Sequence, residues 1–138
     1  LASPNQPGMM VLMVQREVAQ RIMGREKESI LSLSVKAYGI PKIVAKVPAR
    51  FFSPKPKVDS AIIKISEISR KNFANDGVDE EKFFEIVRAG FAHKRKKLQS
   101  NLKNAVPKEI LMEMDIANSR AEDLSPKNWF ELVKKCYN

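Results

Sequence analysis

The chain has 138 residues, of which 43% are hydrophobic and 30% charged, a balance that fits a folded globular protein and excludes a disordered one. Its formal net charge of +9 favours a polyanionic partner, nucleic acid before an anionic membrane. The single cysteine, Cys136, excludes an internal disulfide and a cysteine-based zinc site, and it fits a cytoplasmic protein. The single histidine, His93, excludes a histidine-rich metal cluster and leaves one candidate base for a Ser-His-Asp triad. No apolar run reaches the roughly 18 residues that cross a membrane, so no membrane partner is predicted.

The chain opens on a loop that runs directly into an apolar stretch, residues 9–14. A short, continuously apolar segment after Pro and Gly predicts a strand buried on both faces, as in a parallel sheet covered by helices. Such a strand needs neighbours, and too few strands follow it to complete a sheet. Together with a first residue, Leu1, that is not a methionine, this predicts that the chain is a fragment of a longer protein.

The rest of the first half alternates between helical and extended patterns. Residues 15–23 and 29–38 carry apolar side chains at helical spacing and are each followed by a glycine, so both predict helices. Residues 43–47 and 58–65 predict strands, and the alternation in the second strand indicates one buried face. Between them, residues 48–57 form a loop that three prolines stiffen.

From residue 79 onward the pattern is helical. Asp79 is a predicted N-cap. One long amphipathic helix is predicted from there to about Lys103, with an apolar stripe of Phe84, Val87, Phe91, Leu98 and Leu102. A short helix follows Pro107, and Ser125-Pro126 begins the last helix, whose inward residues are Trp129, Leu132 and Val133. The predicted fold class is therefore a partial α/β layer, residues 1–68, followed by a small all-helical domain, residues 69–138, with residues 66–78 as the linker.

Two basic stretches carry the candidate contacts with nucleic acid, and the first surrounds Phe51 and Phe52. Two adjacent aromatic residues in a basic, proline-stiffened loop are unusual. One exposed ring could stack on a flipped-out base while Arg50, Lys55 and Lys57 hold the flanking phosphates. The alternative is that both rings are buried anchors of the loop.

The second basic stretch, residues 88–103, contains no acidic residue. Its cations are Arg88, Lys94, Arg95, Lys96, Lys97 and Lys103. On the predicted helix, Lys96, Gln99 and Lys103 share one side, which predicts the phosphate-facing surface, while Arg95 falls beside the apolar stripe. The alternative is an ordinary solvated run of charge.

Four segments then resemble, in order and spacing, the ribosomal RNA small-subunit adenine dimethyltransferases. Phe52-x-Pro54-x-Pro56-Lys57-Val58-Asp59-Ser60 is similar to that family's F-x-P-x-P-x-V-x-S motif. Residues 12–22 resemble its strand-then-helix segment, residues 87–102 the first helix of its C-terminal domain, and residues 119–125 its last signature. The resemblance covers nearly the whole chain and identifies it with the C-terminal portion of such a protein only.

The resemblance implies an activity and a set of partners. Family members transfer methyl groups from S-adenosylmethionine to two adjacent adenines of small-subunit ribosomal RNA during ribosome biogenesis in the cytoplasm. It implies that Phe52 packs against the flipped target base, and from the paired aromatic residues of the loop we expect Phe51 to turn towards the core. It also implies that the helical domain docks on the RNA of the immature small ribosomal subunit, with Arg88, Lys94, Lys96, Lys97 and Lys103 as the predicted RNA contacts.

Several family motifs are absent from the chain: the glycine-rich cofactor loop, the acidic residue that holds the cofactor ribose, and the Asn-x-Pro-Tyr motif that holds the target amine. No catalytic, cofactor-binding or metal-binding residue is therefore predicted here. We expect this chain alone to bind no S-adenosylmethionine and to be inactive. An incomplete sheet would also leave an exposed edge that permits self-association.

Three alternatives stay open. One is a self-standing, non-enzymatic module for RNA binding or ribosome assembly. Another is a helical DNA-binding domain that uses the basic helix. The third is a large-subunit ribosomal RNA adenine methyltransferase of the antibiotic-resistance type, whose members share the Phe-x-Pro-x-Pro motif.

Overall fold

The computed structural model describes residues 1–137, which form three strands and seven α-helices. Contacts divide the chain into a strand unit, residues 1–26 and 31–70, and a helical unit, residues 27–30 together with the chain from Lys71 onward. The three strands lie in the strand unit, and the described part of the helical unit contains helices and turns without a strand. The predicted fold class is confirmed. The domain boundary predicted between residues 68 and 69 stays a prediction.

The sheet is antiparallel throughout, in the order β1 (Met10–Gln15), β3 (Ser60–Ser66), β2 (Ile40–Val47). The central strand, β3, buries Ala61, Ile63 and Ile65 on one face, as its alternation predicted. A register shift between Ile43 and Ala45 marks a bulge in β2. The core of the strand unit therefore lies on one side of β3.

The prediction that the first strand is parallel and buried on both faces is wrong for this chain. β1 pairs antiparallel with β3 and lies at the edge of the described sheet. Val11 and Met13 are 58% and 57% exposed. A continuous apolar run identifies apolar side chains, but burial depends on which neighbours cover them, and the local sequence does not contain that information.

Two helices accompany the sheet, α1 (Arg16–Met23) and α2 (Ile30–Tyr38), close to their predicted bounds. α1 ends at Gly24, which has the left-handed backbone that a helix terminus favours. At the end of α2, a Cβ on Gly39 would lie 2.8 Å from Cγ2 of Ile65, so only glycine permits this approach to β3.

The helical unit contains five helices. They are α3 (Lys71–Asp76), α4 (Glu80–Gly90), α5 (Leu98–Asn101), α6 (Lys108–Glu113) and α7 (Pro126–Tyr137). Two predicted N-caps are confirmed: Oδ1 of Asp79 accepts a hydrogen bond from the Lys82 amide at 3.1 Å, and Oγ of Ser125 accepts one from the Asn128 amide at 3.2 Å.

The core of this unit is aromatic. The Phe83 ring stacks on Phe130 with centroids 4.5 Å apart, and Phe73 meets these two rings edge-on at 5.3 and 5.1 Å. Phe73 lies on α3, inside the segment predicted as a linker. That prediction is therefore wrong over residues 71–76. The segment is mostly polar, and its sequence does not show that one of its side chains, Phe73, is buried.

The predicted long helix over residues 79–103 is also wrong. α4 ends at Gly90, the chain reverses, and the buried Leu98 begins α5. A Cβ on Gly90 would lie 2.6 Å from Cη2 of the buried Trp129 ring, so the helix end packs tightly against α7. Leu98 begins α5 and Leu102 is its C-cap, so the two residues keep helical spacing and periodicity alone could not reveal the interruption.

Candidate nucleic-acid interface

The first candidate surface is the Phe loop, defined here as residues 48–59 between β2 and β3. A 3-10 turn, Ala49–Phe51, opens the loop, and the Phe52 amide donates to the Ala49 carbonyl oxygen at 3.1 Å. The Ala49 amide donates to Oδ1 of Asp59 at 2.9 Å. This bond joins the two ends of the loop, so its shape does not depend on burying its tip.

Phe51 is disposed opposite to expectation, while the stacking role of Phe52 stays a prediction. Phe51 is 67% exposed, whereas Phe52 is half-buried, so the prediction that Phe51 turns towards the core is wrong. The alternative that both rings are buried anchors is wrong too. The Arg50 guanidinium lies 5.0 Å from the Phe51 ring centroid, a cation–π contact that leaves most of the ring exposed.

The predicted phosphate ligands of the Phe loop, Arg50, Lys55 and Lys57, are all exposed. Within the part of the chain that the structure describes, none of the three forms a salt bridge. The nearby acid, Asp59, already accepts the Ala49 amide. The loop therefore presents three exposed cations and one acid, Asp59, around an exposed aromatic ring, and this combination suits single-stranded nucleic acid.

An open pocket of about 430 Å³ adjoins the base of the loop. Its lining residues are Gln15, Arg16, Glu17, Gln20, Lys57, Val58 and Asp59. Its charges are mixed, and the Arg16 amide at the start of α1 donates to the Asp59 carbonyl oxygen at 3.0 Å. The α1 residues of the pocket were not predicted from the sequence, because nothing local indicates that α1 begins beside the Phe loop.

The second candidate surface is the basic turn, defined here as residues 92–97, between α4 and α5. Lys94, Lys96 and Lys97 are exposed, as are Arg88 at the end of α4 and Lys103 after α5. The helix face predicted to carry Lys96, Gln99 and Lys103 does not exist. Lys96 precedes α5 and Lys103 follows it, so no single helix carries all three residues.

Arg95, predicted to lie beside the apolar stripe, is also exposed, because the helix that would have turned it inward ends at Gly90. The cations of the basic turn thus share one short reversal of the chain. Their contact with RNA stays a prediction.

The side chain of Asn101 connects the end of α4 to the basic turn through two hydrogen bonds. Its Nδ2 donates to the Gly90 carbonyl oxygen at 2.8 Å and to the His93 carbonyl oxygen at 3.0 Å, while the Lys96 amide donates to the same His93 carbonyl oxygen at 3.0 Å. At the far end, the Leu98 amide donates to the Ser119 carbonyl oxygen at 2.8 Å. The role of Asn101 was not predicted from the sequence, since a single asparagine among lysines has no distinguishing local pattern.

Over residues 1–137, no group of three histidine, cysteine or acidic side chains is placed to hold a metal ion. In the same residues, every helix is too short or too polar to cross a membrane.

Comparison with known proteins identifies a family that matches the chain. The model of the family described as "Ribosomal RNA adenine dimethylase" matches residues 2–138. Among curated proteins, the chain is 38% identical to "Ribosomal RNA small subunit methyltransferase A" of Fusobacterium nucleatum over 132 residues, which are 89% of this chain and 49% of the relative. The protein of the same name from Dehalococcoides mccartyi strain CBDB1 is 39% identical over 135 residues, 91% of this chain and 45% of the relative. The chain spans about half the length of these relatives.

Solved structures show the same fold. A dimethyladenosine transferase from Plasmodium falciparum superposes with a TM-score of 0.80 at 22% identity, covering 97% of this chain and 59% of the other. The 23S rRNA methyltransferase ErmE superposes with a TM-score of 0.72 at 21% identity, covering 95% of this chain and 55% of the other. With the family model matching nearly every residue, the chain belongs to the ribosomal RNA adenine dimethylase family.

Proposed function

We propose that the chain is the RNA-facing, C-terminal half of an S-adenosylmethionine-dependent dimethyltransferase that acts on two adjacent adenines of small-subunit ribosomal RNA. The observation that carries this proposal is the family match over residues 2–138. The proposed partner is the immature small ribosomal subunit in the cytoplasm, and the proposed role is in ribosome biogenesis.

Identity favours the small over the large subunit as the target. The relatives named for small-subunit methylation are 38% and 39% identical to this chain, whereas the large-subunit enzyme ErmE is 21% identical and supports the fold alone. The antibiotic-resistance alternative is therefore the weaker candidate.

The residues present do not fit S-adenosylmethionine. The family's cofactor site needs a glycine-rich turn between a strand and a helix, so that the backbone can approach the ligand closely. Here β1 passes directly from Gln15 into α1 at Arg16 without a glycine, and the five glycines of the chain are isolated from one another. We therefore assign the cofactor to residues outside this chain and expect the chain alone to be inactive.

What this half supplies is contact with RNA. In the Phe loop, Phe52 is half-buried, so one part of its ring is anchored while the rest stays accessible to a flipped base. Arg50, Lys55 and Lys57 are placed to hold the phosphates beside that base, and the basic turn supplies a second set of cations in the helical unit. Base stacking by Phe52 and phosphate binding by the cations need no titrating or metal-bound group in the chain.

The exposed edge strand, β1, permits self-association of the isolated chain, since its own residues Val11 and Met13 are exposed. Sedimentation of the chain over a range of concentrations tests this part of the proposal.

The function itself is tested by methyl transfer. The full-length protein, in which a cofactor-binding half accompanies these residues, is incubated with labelled S-adenosylmethionine and with immature small or large subunits. We expect dimethylation of two adjacent adenines in the small subunit only. Labelling of the large subunit alone would support the resistance-type alternative. Tight RNA binding without methyl transfer would support a non-enzymatic assembly module.

A further inference from the structure

We propose that Phe51, with the Arg50 guanidinium against its ring, is a second stacking platform, which takes the unpaired RNA base next to the base at Phe52. This inference rests on the proposed function of the chain as an RNA-binding half. It adds a contact that the family motif does not contain, since the motif begins at Phe52.

The exposure of Phe51 calls for a role outside the fold. Burying a phenylalanine removes about 150–250 Å² from water and stabilises the protein, yet this ring is 67% exposed. The ring does not fasten the loop either, because the loop is closed by the bond from the Ala49 amide to Asp59. An aromatic side chain that is neither core nor anchor is available for a ligand.

The surroundings of Phe51 indicate a nucleic-acid ligand over an apolar protein partner. The Arg50 guanidinium, 5.0 Å from the ring centroid, adds a flat cation to the platform, and both groups stack well on nucleobases. Lys55 and Lys57 are exposed on the same loop, so its three cations outnumber its one acid, Asp59, whose Oδ1 accepts the Ala49 amide. Charge complementarity therefore commits the platform to a polyanion that carries aromatic groups, which is single-stranded RNA.

Neighbouring residues can serve neighbouring nucleotides. Consecutive Cα atoms lie about 3.8 Å apart, so the two rings start from the same point of the loop and one RNA strand can reach both. The half-buried ring of Phe52 and the exposed ring of Phe51 could thus take two successive bases. Phe51 would then be a positioning residue for the target and would not touch the reacting atoms.

The test compares two probes of equal charge bound to the 138-residue chain: a single-stranded oligoadenylate, and the same backbone with abasic sites. Phe51→Ala should weaken binding of the oligoadenylate by about 5- to 150-fold, the range that follows from base–aromatic stacking. It should leave binding of the abasic strand unchanged. The matched control is Met112→Ala, which removes an apolar side chain of similar exposure, 63%, from the helical unit and should alter neither affinity.

A second variant makes the contact visible. Trp129, the chain's one tryptophan, is fully buried, so Phe51→Trp introduces an exposed reporter against a shielded background. We expect oligoadenylate, but not the abasic strand, to quench this new fluorescence.

The outcomes separate this inference from the proposed function. Equal losses on the two probes, or an oligoadenylate affinity that Phe51→Ala leaves unchanged, would overturn the platform while the proposed function stands. Loss of self-association with unchanged RNA affinity would assign the ring to a protein contact and would also overturn it. A chain that binds neither probe would refute the platform and RNA binding by this half together.

Discussion

Replacing Asn101 with alanine tests whether the basic turn is a defined structure. The substitution removes two hydrogen bonds, to the Gly90 and His93 carbonyl oxygens at 2.8 and 3.0 Å. At about 0.5–1.5 kcal/mol each, their loss would cost about 1–3 kcal/mol. Oδ1 of Asn101 is buried without a partner in the described chain, and removing it returns part of that cost. We therefore expect a net loss of about 1–2 kcal/mol of unfolding free energy.

The assay has a thermodynamic and a functional arm. Urea denaturation gives the free energy of unfolding, and hydrogen exchange at the Lys96 amide, which donates to His93 at 3.0 Å, reports on the turn itself. RNA affinity should fall as well, although no charge has been removed. The matched control is Asn104→Ala, an exposed asparagine three positions later, which should change none of these quantities.

Two results would refute this reasoning. If Asn101→Ala leaves stability and exchange unchanged, the two hydrogen bonds do not hold the turn. If stability falls while RNA affinity is unchanged, the shape of the turn is irrelevant to binding, and its lysines act only as diffuse charge.

Three further predictions concern other parts of the chain. Gly90→Ala should lower the free energy of unfolding by about 1–2 kcal/mol in urea, since a Cβ 2.6 Å from Trp129 Cη2 outweighs a helix-propensity gain of about 1 kcal/mol; an unchanged midpoint would show that the ring shifts freely. Burial raises the pKa of the Cys136 thiol, so the folded state binds its proton more tightly, and the pH midpoint of alkylation should fall on unfolding; a rise would contradict this. In the full-length enzyme, Phe52→Ala should slow methylation by roughly 5- to 150-fold without lowering the melting temperature by more than a few degrees; unchanged turnover would make the Phe loop purely structural.

The sequence predicted features that depend on local chemistry. The N-caps Asp79 and Ser125, the left-handed glycine after α1 and the alternation of β3 each follow from side chains within a few residues of one another. The fold class also followed, because strand-like and helix-like patterns separate cleanly along the chain.

What the sequence did not predict depends on contacts between distant residues. The end of α4 at Gly90 packs against Trp129, thirty-nine positions away, and the burial of Phe73 depends on Phe130. The disposition of the rings in the Phe loop depends on a turn that Asp59 closes from the other end. Composition identified both basic stretches of the chain, but only the fold decides which of their side chains reach the solvent together.

The most direct test of the central claim, that this half of the protein binds ribosomal RNA through its basic surfaces, is the salt dependence of RNA affinity. Lys96 and Lys103, both exposed, are neutralised together by Lys96→Gln and Lys103→Gln, and the slope of log affinity against log salt is compared with that of the unmodified chain. If each lysine contacts one phosphate, the slope should flatten by about 1.4–1.8, and the control pair Lys108→Gln with Lys127→Gln should leave it unchanged. An unaltered slope in the first pair, or an equal change in both pairs, would contradict a defined RNA-binding surface that includes Lys96 of the basic turn and Lys103 after α5.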